Sequence, residues 1–174
     1  MPNDESLEYA AKQILDNRLY ADPVRLEQRI IEELQQQALQ HKRGTGDLPG
    51  MDSIRELVKQ MKEWLYAQAC QSFCKNGKPK SITAVGAVSL TEDMLNKIFD
   101  QGLEDAGEAA RELLVQLGGM LEQWPGIDDI PWMNHLSHAV AAALAAVMVM
   151  ESIGKFCEEC PPSPDQSSKS DIDA

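Results

Sequence analysis

The sequence predicts an all-α fold: a single-domain bundle of five to six helices over residues 1–160, then a disordered acidic, Pro- and Ser-containing tail at residues 161–174. Apolar residues recur three or four apart along most of the chain, the period of a helix with one buried face. Each such stretch is bounded by capping side chains, Gly or Pro. Strand-like alternation is nearly absent, and the one stretch rich in small and β-branched residues has no second run nearby to pair with.

The first helix is expected to start between Asn3 and Ser6, whose polar side chains suit capping. Leu7, Ala11, Ile14, Leu15 and Leu19 then carry it through about four turns. The second is the best bounded. Asp22 can cap it, Pro23 sits at the first helical position where a missing N–H does no harm, and Gly44 follows a basic last turn. Its apolar face is Leu26, Ile30, Ile31, Leu34 and Ala38.

"GTGDLPGM" is a loop on its Gly and Pro content. Asp52 or Ser53 caps a third helix, on which Ile54, Leu57, Val58, Met61, Leu65, Ala69 and Phe73 share a face, and "KNGKPK" ends it. "SITAVGAVSL", residues 81–90, reads as an unpaired extended segment packed on helices. Thr91 caps the fourth helix, with Glu92 and Asp93 in its first turn and Leu90 and Leu95 placed as a hydrophobic staple.

Gly102 and Gly107 predict a break in that helix, since each disfavours a helix interior by about 1 kcal/mol relative to Ala. Leu113, Leu114, Leu117, Met120 and Leu121 form the fifth, which "GG" weakens and "WPG" stops. Asp129 and Pro131 are expected to open the last helix, from about Trp132 to Phe156. Its many alanines let neighbouring backbones approach closely, which favours a central place in the bundle. Trp124 and Trp132 flank the loop before it and are read as anchors of that loop.

The formal net charge is −12, and residues 91–174 carry sixteen acidic and four basic side chains. Such a surface repels nucleic-acid phosphate and anionic lipid and favours a basic protein partner. The longest apolar run, Ala139 to Met150, is shorter than the roughly 20 residues that span a bilayer. The polar, acidic start "MPNDESLEYAAKQ" has no signal-peptide core, so a cytoplasmic location is expected. In that compartment the cysteines are expected to remain thiols.

Several clusters could carry chemistry. Cys70 and Cys74 stand four apart on one helical face, and Cys157 and Cys160 have the close-pair spacing of zinc ligands, so the four together would suit tetrahedral zinc. Glu158 and Glu159 count against zinc and against a redox pair, because neighbouring negative charge disfavours the thiolate. His135 and His138 in "HLSH" are expected three apart on one face of the last helix, without the glutamate of a zinc-protease motif. Lys75, Lys78 and Lys80 form a short basic turn without aromatics, a weak nucleic-acid signal. Asp100, Glu104, Asp105, Glu108 and Glu112 recur three to four apart and would line an acidic helical face.

No nucleophile elbow, phosphate-binding loop or dinucleotide fingerprint occurs in the chain. The sequence therefore reads as a non-enzymatic interaction protein, an adaptor or inhibitor, that meets a basic partner surface through Asp100, Glu104, Asp105, Glu108 and Glu112. One alternative is a nucleic-acid-mimicking inhibitor of a DNA- or RNA-binding enzyme, its carboxylates standing in for phosphates. Another is a zinc-binding or thiol-redox protein built on Cys70, Cys74, Cys157 and Cys160. No direct nucleic-acid or membrane partner is expected, and the charge-poor helix faces would also accept a second copy of the chain.

Overall fold

The computed structural model describes the backbone of residues 6–41, 50–75, 78–79, 84–85, 88–89, 92–133 and 135–153, and their side chains outside residues 71–92. The architecture is all-α. Its helices are α1 (Leu7–Asp16), α2 (Pro23–His41), α3 (Met51–Phe73), α4 (Glu92–Ala106), α5 (Glu108–Leu121) and α6 (His138–Glu151). The tail at 161–174 lies outside the described residues.

α6 is the centre of the bundle, packed by α1, α2, α3 and α5. Its sequence explains why. Val140 to Val149 are buried without a gap, so this stretch of the helix has no polar outer face and can only be an interior element. α5 comes closest through Gly118, whose Cα lies so near α6 that an added Cβ would stand 3.5 Å from the backbone of Ala141 and Ala142. Around this pair the core is closed by Ile14, Leu34, Met61, Leu65 and Ile98.

The ends of the helices follow local chemistry. The Tyr9 amide donates to Ser6 Oγ (3.1 Å) at the start of α1, and the Arg25 amide donates to Asp22 Oδ1 (3.2 Å) at the start of α2. Pro23 is the first residue of α2, and Leu26, Ile30, Ile31, Leu34 and Ala38 are buried as the periodicity requires. α1 is shorter than the expected four turns. Asn17 donates from Nδ2 back to the Gln13 carbonyl (2.9 Å), and Arg18 takes a left-handed conformation (φ 53°) that turns Leu19 to Ala21 into a separate 3-10 turn.

The stretch 81–90 pairs with itself rather than staying unpaired. Ala84–Val85 runs antiparallel to Val88–Ser89, while Cys74–Lys75 pairs with Lys78–Pro79 in another two-residue ladder just after α3. With only two residues between its arms, the segment supplies its own partner strand. α4 and α5 behave as the two glycines predict: Gly102 (φ 82°, ψ 164°) interrupts α4, and Gly107 (φ 52°) separates α4 from α5. Thr91 and Leu90, expected as cap and staple, lie outside the described residues.

The last helix starts later than its Asp129/Pro131 signal suggests. Pro125–Asp129 forms a 3-10 turn, and Trp132, Met133 and Leu136 are buried beneath the irregular chain that follows. Helix is first nucleated at Ser137, whose Oγ accepts from the Val140 amide (3.1 Å). Trp124 and Trp132 are both buried, and the Trp124 ring lies over Gly126 so closely that a Cβ there would collide with it. They anchor this loop, as read from the sequence.

Among the described residues, no helix is long and apolar enough to cross a membrane.

Candidate functional site

The five acidic residues remain exposed, but they do not share one continuous helical face. Asp100 precedes the interruption at Gly102, Glu104 and Asp105 lie between the two glycines, and Glu108 and Glu112 belong to α5. Two of them are also neutralised. Arg18 Nη2 stands 2.5 Å from Glu104 Oε1, and Arg111 bridges Glu108 Oε1 (2.5 Å) and Glu8 Oε1 (2.7 Å). Sequence spacing could not show the Arg18–Glu104 and Arg111–Glu8 contacts, whose partners come from the N-terminal part of the chain, whereas Arg111 stands only three residues from Glu108. Asp100, Asp105 and Glu112 make no ion pair among the described residues.

The buried Tyr20 phenol sits under this corner. Its burial and then the nearby Glu104 carboxylate push its pKa above the ordinary tyrosine value, while Arg18 pulls the other way.

Cys70 departs from the thiol expectation. Its side chain is wholly buried on α3, and its sulfur is in a disulfide. The partner sulfur lies outside the described side chains, as do those of Cys74, Cys157 and Cys160. A disulfide sulfur is not a thiolate, so the four-cysteine zinc set cannot assemble while this bond holds. Among the described residues, no three His, Cys, Asp or Glu side chains gather as metal ligands. The side chains of Lys75, Lys78 and Lys80 also lie outside the description.

The histidines are arranged differently from the expected helical pair. His135 lies before α6, and its carbonyl accepts from Gln37 Nε2 (3.2 Å). His138 is the first residue of α6, with Nδ1 2.5 Å from Glu122 Oε2 just beyond α5. The late start of the helix separates the two rings from any common face.

Both histidines nevertheless border the same feature, a cleft of about 790 Å³. Its walls are α1 and α2 and its floor is the first turns of α6. Apolar surface comes from Ile14, Leu26, Ile30, Leu136, Val140 and Ala143, while Tyr9, Arg29, Glu33, Glu122 and His138 supply polar groups. Its volume lies within the roughly 300–1,000 Å³ range of ligand clefts. Sequence reading passed over it, since its residues come from three helices and a loop, each looking like ordinary core or surface.

Comparison of the chain with models of protein families, with curated proteins and with solved structures finds no match in any of the three.

Proposed function

We propose that this chain is a small acidic interaction protein, an adaptor or inhibitor, that binds a basic partner surface and acts by binding rather than catalysis. The observation that carries this reading is the group of exposed carboxylates at Asp100, Asp105 and Glu112, none of which forms a salt bridge among the described residues, although the Arg111 charge acts on Glu112 through space. Glu104 and Glu108 contribute less, since each would have to release an arginine to meet a partner. Exposed carboxylates on a net-acidic surface steer a basic partner into contact and set its orientation.

The nucleic-acid-mimic reading asks for a regular row of free carboxylates. The glycine interruptions and the two arginine pairs support it less well than they support a compact protein contact. Zinc binding by the four cysteines would require Cys70 to leave its disulfide, whereas a thiol-redox role would use that disulfide as its oxidised form. We also propose a cytoplasmic location, one in which the Cys70 disulfide would be unusual.

The experiment is photo-crosslinking in the cells the protein comes from, with a photoreactive residue at Asp105 and, as a control, at Glu32 on the exposed face of α2. The expected result is one dominant adduct at residue 105, through a lysine- and arginine-rich segment, weakened by the reversals Asp100→Lys and Glu112→Lys. Equal adducts at both positions, or an adduct insensitive to these reversals, would refute the reading.

A further inference from the structure

The bonded sulfur of Cys70 must find its partner among three residues, since Cys74, Cys157 and Cys160 are the only other cysteines of the chain. We propose that the partner is Cys157, so that the disulfide fastens the segment following α6 to the last turns of α3.

The course of the helices brings that segment to Cys70. Gln37 on α2 donates to the His135 carbonyl just before α6. Glu27, about three turns earlier on α2, meets Lys62, which also holds Glu151 at the end of α6. α2 and α6 are therefore antiparallel. α3 is antiparallel to α2 as well. If those two ran parallel, with Lys62 beside Glu27, His41 and Met51 would stand about 37 Å apart along the axes, whereas the connection at 42–50 spans about 35 Å at full stretch. α3 and α6 thus run in the same direction, level at Lys62 and Glu151. α3 alone continues beyond that level, through Ala69 and Cys70, both wholly buried.

The register then selects the partner. Cys70 lies eight residues past Lys62, about 12 Å further along α3. Cys157 lies six residues past Glu151, which cover the same 12 Å at about 2 Å per residue, between the rise of a helix and that of an extended chain. At that rise Cys160 arrives at about 18 Å, level with Cys74 and beyond Cys70. Cys74 itself fits Cys70 poorly. α3 is helical through Phe73, and a four-residue helical step holds Cβ atoms about 5–6 Å apart, whereas a disulfide needs about 3.5–4.5 Å.

Full burial shields the Cys70 sulfur from thiols in solution, which makes the bond a lasting staple rather than a readily exchanged one. A dithiol can open it only once the segment lifts from α3. The dithiol then gives up two electrons and two protons, closes to its own disulfide, and leaves Cys70 and Cys157 as thiols.

The test is to alkylate free thiols while the full chain is isolated, then to digest the denatured protein without reductant and weigh the peptides. Chymotrypsin cuts after Phe73 and separates Cys70 from Cys74, and a glutamate-specific protease cuts after Glu158 and Glu159 and separates Cys157 from Cys160. The expected product is a peptide pair carrying Cys70 and Cys157, two hydrogens lighter than its reduced halves together. In the folded protein dithiothreitol should open the bond about ten-fold more slowly, or slower still, than in urea. The proposal is overturned if Cys70 is joined to Cys74 or Cys160, if it is alkylated without reduction, or if the bond opens as fast in the folded protein as in urea.

Discussion

Lys62 Nζ stands 2.9 Å from Glu151 Oε1, across 89 residues of sequence, and the same ammonium also meets Glu27. One lysine on α3 thus ties α2 to the end of α6. Burial opposes its charge, but hydrogen bonds to Glu27 and Glu151 and the charges of both carboxylates outweigh burial and raise the lysine pKa.

Because the folded pKa exceeds the unfolded one, the stabilisation is complete at neutral pH, up to the ordinary lysine value of about 10.4. It is lost as pH rises through the folded value. Lys62→Met should cost about 1–2 kcal/mol at pH 7, between the worth of exposed and fully buried pairs. Denaturation of the two proteins at successive pH values should show that difference shrinking above about pH 10.4.

Gly102→Ala should fail to straighten α4. The backbone at Gly102 has φ 82° with open space where a Cβ would stand, so strain rather than collision decides the outcome. A loss of about 1–2 kcal/mol in urea unfolding is expected, whereas a gain near the helix-propensity difference would mean the interruption is not intrinsic to the fold.

At Gly118, size decides. A methyl group would meet Leu7 Cδ2 at 2.7 Å, the movable end of a side chain, and the α6 backbone only at ordinary contact distance. Gly118→Ala should therefore stay within about 1 kcal/mol of the parent, because helix propensity offsets the shift of Leu7. Gly118→Leu would have to push α5 off α6 and should cost about 3 kcal/mol or more, read from the unfolding midpoint.

Ser137→Ala removes the acceptor for the Val140 amide at the start of the central helix. About 1 kcal/mol should be lost, with faster amide exchange confined to the first turn of α6. If Ser137→Asp restored the parent stability, capping rather than packing would be the cause.

Alkylation before and after reduction, read by peptide mass, checks the Cys70 disulfide. Cys70 should be labelled only after reduction under denaturing conditions, and breaking the bond should destabilise the fold by about 2–4 kcal/mol. Labelling without reductant, in protein isolated from cells without oxidation, would restore the thiol reading.

What the sequence revealed depended on how locally each feature is determined. The Asp22–Pro23 start of α2 and its buried face were legible because cap and period act within a few residues. Gly102 and Gly107 were legible as breaks because backbone freedom belongs to the residue itself. The start of α6 was not. Asp129 and Pro131 carry a good local signal, but burial of Trp132, Met133 and Leu136 holds that stretch irregular until Ser137. The continuity of the acidic row was not legible for a related reason: helical spacing assumes an uninterrupted helix, and Arg18 reaches Glu104 only in the folded molecule. Nothing in the sequence announced the cleft, since no single one of its walls is unusual.

α6 is buried from Val140 to Val149 on every side. A helix with one apolar stripe can detach and still shield itself against some other surface, but one that is apolar all round has no such refuge. Any excursion that frees α6 exposes a stretch prone to self-association, and the fold keeps it hidden only as long as its four neighbours stay packed on it. The surplus of negative charge then has a second use, keeping such briefly opened molecules apart from one another.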